Sequence, residues 1–230
     1  MLVVSHMAWG LLFTYAYARS TRRPLPSPWL VLWLGSIPDY DLYTQRLLVA
    51  IYGPAEYVGT PLGHHGIFHS WLAILLALLP LAVLGARNWV GYLIAVEQHI
   101  LFGDFVGNAV PLFAPFSFDQ VGLNMFEALL PGLLTLEAAG FLFLLLWFRR
   151  MAPGVNSPLH LLPVLTAIPL ILLNVTQGMD YLYVGGVLSV YAAYAVVSGL
   201  ITLWLIARAI GKALLFQQLA FSAKYNSPLG

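Results

Sequence analysis

Apolar runs of bilayer-crossing length recur along the whole chain, and cations fall between them at alternate ends. A transmembrane helix needs roughly 20 predominantly apolar residues. Runs near that length occupy about 2–18, 67–86, 89–112, 123–148, 158–176 and 181–207. Between the first two, residues 28–37 are apolar but too short for a full crossing, and they stop at Pro38-Asp39-Tyr40-Asp41. That segment reads as a short or broken helix, since irregular backbone survives at membrane depth where protein or water covers it. With its mixed continuation 42–62, which holds Arg46 and Glu56, it counts as one crossing. The expectation is an all-α, polytopic helical membrane protein of about seven spans. Arg19, Arg22, Arg23, Arg87, Arg149, Arg150, Arg208 and Lys212 then share one face, which the positive-inside rule makes cytoplasmic. The chain is expected in the cell membrane, N-terminus outside and C-terminus in the cytoplasm.

Composition agrees with this reading and closes others. The chain is 60% hydrophobic and 8% charged, against about a quarter charged in soluble domains, and its mean hydropathy is +0.84. A net charge of +1 with ten scattered cations offers no basic stripe for nucleic acid. Without cysteine, disulfides, thiolate metal sites and cysteine nucleophiles are excluded. No P-loop, Gly-x-Gly-x-x-Gly or Gly-x-Ser-x-Gly occurs, so nucleotide-binding and serine-hydrolase readings lack their motifs. The 7 Trp and 12 Tyr fit interfacial belts. Residues 1–18 lack a basic leader and a small-residue cleavage site, and read as a retained span rather than a signal peptide. One membrane domain covers 1–230, with 208–223 expected along the surface as an amphipathic tail.

Ionisable side chains interrupt the apolar pattern at one level. Three of the six histidines fall in Gly63-His64-His65-Gly66-Ile67-Phe68-His69-Ser70, at the outer start of the third span. His6 lies near the outer start of the first span, and Asp39 and Asp41 at the outer end of the second. His99 sits near the middle of the fourth span and Asp104 farther toward its outer end. Four spans thus direct imidazoles and carboxylates into the outer half of the membrane, where ionisable groups mark functional sites. An interfacial turn among the headgroups would explain the histidine cluster by itself; the convergence favours a metal. Nitrogen and carboxylate donors suit zinc, manganese or iron. Two or more such ions can clamp the attacking and leaving oxygens of a phosphate ester.

Ser5-His6, then Gly35-Ser36-Ile37-Pro38-Asp39-Tyr40-Asp41, then His64-His65-Gly66-Ile67-Phe68-His69-Ser70, then His99 and Asp104 followed by Pro111-Leu112-Phe113-Ala114-Pro115-Phe116, together resemble the YdjM-type family. The resemblance covers residues 5–116, so 1–116 reads as the metal-site half and 117–230 as additional spans and tail. It implies a LexA-regulated, membrane-bound, metal-dependent hydrolase, distantly similar to zinc-dependent phospholipase C and the P1-type nucleases. It further implies metal ligands at His6, Asp39 or Asp41, His64, His69, His99 and Asp104. These would hold one to three ions, zinc first, with manganese or iron as alternatives. Asp39 or Asp41 would bridge metals or orient the attacking water. The substrate expected is a lipid phosphate ester or phosphodiester reaching the site from the outer leaflet.

The chain departs from the family pattern at two points. The pattern has Arg after the first histidine of the second motif and Thr before the second; here stand His65 and Phe68. If that Arg grips a substrate phosphate as a bidentate fork, His65 could replace it only when protonated. The family's His-x-x-x-Asp spacing becomes five between His99 and Asp104, about 140° of helical rotation instead of about 40°. One π-bulge would restore the alignment, and such bulges gather at functional sites. Gly103 sits where the wider turn is needed, so an i→i+5 turn is expected between Glu97 and Gly107. The alternative gives the place of His99 to Glu97, which on a regular helix shares a face with Asp104 and Asn108. Glu127 and Glu137 read as carboxylates bonded to neighbouring helices, His160 as interfacial, and Asp119, Asn174, Gln177 and Asp180 as solvated loop residues. Two other functions compete with the hydrolase: an ion- or proton-coupled transporter, and a non-catalytic membrane protein with a structural metal. A conduction path would need polar residues through both leaflets, whereas these cluster on one side.

Overall fold

A computed structural model of the chain describes residues 3–24, 26–53, 60–84, 88–150, 165, 167–181 and 186–225. Glu56, Arg87 and His160 lie outside them, as do the side chains of Glu127, Asn174, Gln177 and Asp180. The described elements are α1 (Val3–Ser20), α2 (Pro28–Ser36), α3 (Asp41–Tyr52), α4 (Trp71–Val83), α5 (Trp89–Gln98), α6 (Phe105–Gly107), α7 (Phe126–Arg150), α8 (Ile168–Tyr181) and α9 (Gly186–Tyr225). Among the described residues β structure amounts to one isolated antiparallel bridge, Val110 with Val121.

The other helices gather round α1. Its Val3, Val4, Met7, Ala8 and Leu11 are buried in the core, and it touches α2, α5, α7, α8 and α9. Thr14 bonds the carbonyl of Gly91, Gly10 abuts Ala95 and His6 abuts Gly103, so α1 and α5 run antiparallel. The approach of α2 to α1 depends on Gly35, where a Cβ would fall 2.7 Å from the carbonyl oxygen of His6. Farther round, buried Glu137 of α7 accepts a hydrogen bond from Ser5 at 3.2 Å. The Tyr194 hydroxyl of α9 donates to the Glu137 carbonyl at 2.6 Å, so this residue joins three helices, as its structural reading supposed.

The described residues are all-α, but they do not contain the expected seven spans. Among the described residues one helical stretch, Ala192–Leu219, is long and apolar enough to cross a bilayer, with 28 residues and mean hydropathy 1.8. The apolar runs exist; the backbone cuts them. Nine-residue α2 gives way to a 3-10 turn at Pro38–Tyr40 before α3 begins. The run at 67–86 spends Ile67–His69 on another 3-10 turn and Ser70 on extended chain, leaving 13 residues for α4. The run at 89–112 becomes ten residues of α5, a π turn at His99–Asp104 and the single turn of α6. Helix α1 has 18 residues but buries Ser5, His6 and Thr14, which lower its hydropathy. Shorter apolar stretches are Trp71–Val83 and Leu134–Phe148, and α8 has 14 residues. The run at 158–176 lies partly outside the described residues. The separate surface tail at 208–223 is also corrected: α9 continues unbroken through it to Tyr225.

Candidate metal centre

The helix breaks that shorten the apolar runs are the points that carry the polar side chains. His6 stands in the first turns of α1, Asp39 in the 3-10 turn after α2, and Asp41 at the start of α3. Proline suits the opening of a helical turn because its missing N–H has no partner there to lose, and Pro38 opens the turn that holds Asp39. His69 closes the second 3-10 turn, and Ser70 then caps α4 by accepting from the Ala73 N–H at 3.2 Å. The same hydroxyl lies within donating reach of the carbonyls of Leu112 and Ala114, at 3.0 and 2.9 Å. It thereby fastens the Pro111–Phe116 stretch over the start of α4. The His64 N–H donates to the Gln45 side chain at 2.8 Å, and His65 takes a left-handed backbone, φ 59°, a region histidine tolerates better than most residues.

His99 and Asp104 begin and end the π turn. The extra residue brings His99 Nε2 to 3.1 Å from Asp104 Oδ2, as the five-residue spacing required. It also rotates Glu97 away from the face it would share with Asp104 on a regular helix. Glu97 is 7% exposed and both its oxygens lack hydrogen-bond partners, but it joins none of the ligand groups described below. Gly103 permits the close pass of α1: a Cβ there would lie 2.4 Å from His6 Cε1. The His6 ring stacks on His99 with centroids 3.4 Å apart and planes 10° from parallel.

Outer contacts fix the direction of each ring. Asp41 Oδ1 accepts from His64 Nδ1 at 2.8 Å, and Oδ2 from His69 Nδ1 at 2.7 Å. His99 Nδ1 donates to the Gly35 carbonyl at 2.9 Å. A carbonyl can only accept, so Nδ1 of His99 carries the proton and Nε2 presents its lone pair, the arrangement found behind most metal-bound histidines. His69 Nε2 lies 3.2 Å from Asp104 Oδ2, His99 Nε2 3.6 Å from Asp39 Oδ1, and His65 Nε2 3.8 Å from Asp104 Oδ1. Both ring nitrogens of His6, with His69 Nε2, His99 Nε2, Asp39 Oδ2 and Asp104 Oδ2, are buried without a hydrogen-bond partner. Each such orphan costs about 1–3 kcal/mol, and a cation held among them would satisfy several together. Three triads have ligand atoms within 4.8 Å of one another: His6-Asp39-His99, His69-His99-Asp104 and His64-His65-His69. The residues present therefore fit a metal ion.

Charge at the cage follows from the same contacts. Burial works against the Asp41 carboxylate, but the His69 imidazole and the bonds from His64 and His69 outweigh it and hold its pKa down to about 2. Burial also opposes a charge on His69, yet Asp41 and Asp104 on either side raise its pKa to about 10. With a carboxylate on either side, His69 sits where positive charge is favoured, and a bound cation would supply that charge with the imidazole neutral. Burial, then the neighbouring His64 and His69, push His65 down to about 3. A neutral His65 offers a lone pair at neutral pH and not the cationic grip on phosphate of an arginine fork.

The structure thus brings His6, Asp39, His64, His65, His69, His99 and Asp104 together, and gives Asp41 a different place from the expected one. Both Asp41 oxygens are occupied by imidazoles, so it orients His64 and His69 instead of facing the cage. His64 and His65, with side chains 23% and 13% exposed, form its open rim. Three contributors were not singled out: the Gly35 carbonyl, Gln45, and Gln98, whose amide donates to the His6 carbonyl at 2.9 Å. Gly35 lay within a quoted motif; the two glutamines left no signal.

The family model described as YdjM inner membrane protein matches residues 1–205, so the chain belongs to that family and is a membrane protein. No curated protein matches the chain, and no solved structure does.

Proposed function

We propose that this YdjM-family protein is a metal-dependent hydrolase of the membrane, acting on a phosphate ester or phosphodiester carried by a lipid. The ion is zinc by first preference, with manganese or iron as alternatives. The observation that carries the reading is the set of buried donor atoms on His6, Asp39, His69, His99 and Asp104 left without partners, in two triads that share His99. When bound, the ion supplies a Lewis acid that polarises a phosphoryl oxygen and makes water nucleophilic near neutral pH.

The chain's own residues have distinct tasks in this reading. His69, His99 and Asp104 hold one ion, with His6 and Asp39 beside them; His64 and His65 offer a second group that shares His69. Asp41 and the Gly35 carbonyl keep three imidazoles turned inward. Asp39 Oδ2, buried without a hydrogen-bond partner, is the oxygen assigned to align a water and accept its proton. The half-buried rim at His64 and His65 is where the phosphate enters. The C-terminal half of the apolar stretch, which carries Arg208 and Lys212, is the end that faces the cytoplasm by the positive-inside rule, and the N-terminus lies outside.

The test is turnover of lipid phosphomonoesters and phosphodiesters in mixed micelles by metal-loaded protein. Asp39→Asn should lower turnover about 100-fold or more, the range for a lost general base, while retaining metal. Hydrolysis that survives both chelation and Asp39→Asn, or no hydrolysis of either substrate class, would defeat the proposal.

A further inference from the structure

A second feature lies on α7 and α9, which contribute no residue to the cage. Between these helices opens a cavity of about 380 Å³, walled by Leu145, Phe148, Leu205 and Ala209 and edged by Arg208 and Lys212. The two cations are four residues apart on one helix, hence on one face. Both belong to Ala192–Leu219, the stretch apolar enough to cross a bilayer. Arg208 stacks over the Trp204 ring at 5.4 Å, and Trp204 is 57% exposed, so the guanidinium is held at the lip of the groove. Among the described residues no carboxylate lines this cavity. Cations on an apolar helix are unfavourable unless an anion or the interface receives them.

We propose that this groove binds an anionic phospholipid of the surrounding bilayer. Its phosphate sits on Arg208 and Lys212, and an acyl chain runs against Leu145, Phe148, Leu205 and Ala209. The occupant follows from complementarity: the walls are apolar, the edge is doubly positive, and a basic pocket between helices is how membrane proteins take acidic headgroups. The site is independent of the hydrolase reading and shares no residue with it.

The experiment compares the full-length metal-loaded protein in nanodiscs of phosphatidylcholine doped with phosphatidylglycerol of the same chains, and reads retained lipid by native mass spectrometry. Wild type should retain phosphatidylglycerol in preference to phosphatidylcholine. At about one unit of headgroup attraction per cation, the Arg208→Gln, Lys212→Gln double variant should bind it roughly 30-fold more weakly. The charge-preserving pair Arg208→Lys, Lys212→Arg should keep most of the preference, and metal content should be unchanged in both. Millimolar inorganic phosphate should not displace the lipid. Equal retention of the two lipids by wild type, an unchanged preference in the double glutamine variant, or displacement by inorganic phosphate alone would each overturn the assignment.

Discussion

An alanine at position 103 would put its Cβ 2.4 Å from His6 Cε1 and 3.3 Å from both ring nitrogens. Carbon atoms in contact settle at about 3.5–4.0 Å, so the imidazole must retreat by roughly 1 Å. It has little room: His6 is 0% exposed and its other side is stacked on His99 at 3.4 Å. Metal–ligand distances tolerate only about 0.2 Å, so His6 leaves the donor set and His99 shifts with it. The overpacking should destabilise the fold by about 1–3 kcal/mol. Metal affinity should fall by about 10- to 100-fold, as when a group that orients a ligand is removed. The assay is a metal titration against a chelating dye, paired with thermal melting in detergent. Gly132→Ala is the control: a Cβ there meets nothing within 4 Å, and alanine should be neutral or stabilise α7 by up to about 1 kcal/mol. A folded Gly103→Ala protein with wild-type metal affinity would refute the account of the His6–His99 stack.

Three further expectations concern the surroundings of the cage. Asp41→Asn leaves every inward-facing donor in place but keeps an acceptor for only one of His64 and His69, so metal affinity should drop about 10- to 100-fold; unchanged affinity would show that the carboxylate does not orient them. In chelated protein Asp41, His69 and His65 are among the groups that contribute to the dependence of melting on pH. Asp41, depressed to about 2, stabilises fully above its unfolded value near 3.9 and loses that as pH falls through about 2. His69, raised to about 10, stabilises fully below about 6.5 and loses that as pH rises through about 10. His65, held down to about 3, penalises the fold increasingly as pH falls below about 6.5. The melting temperature should therefore peak near pH 6.5 and decline on both sides, and a monotonic rise to pH 9 would contradict it. Lastly, because the chain has no cysteine, a single cysteine at 223, beyond the apolar stretch Ala192–Leu219, can be labelled cleanly; reaction from outside intact cells would reverse the proposed orientation.

The site was more legible in the sequence than the span count, for one physical reason. Hydropathy sums side chains and is blind to where the backbone leaves the helix. Ser70 and Asn108 redirect the chain inside stretches whose apolar content alone suggested continuous spans, whereas the stop at Pro38 was legible. The same breaks position Asp39, His69 and Asp104, so the features that defeated the span count are those that build the cage. Spacing was informative where it conflicted with regular geometry: five residues between His99 and Asp104 demanded a wider turn, and a π turn occupies His99–Asp104. The place of Asp41 could not be read, because a carboxylate two residues from another offers the same chemistry whichever one faces inward. Only the bonds to His64 and His69 separate them.

Elemental analysis of the purified protein, never exposed to chelator, tests the metal centre most directly. At least one equivalent of a first-row transition metal per chain should be present. His69→Ala and His99→Ala should each lose it while remaining folded, since each removes a buried nitrogen with no other partner. A wild-type chain without stoichiometric metal, and unable to take up added zinc, manganese or iron, would contradict the account at its centre.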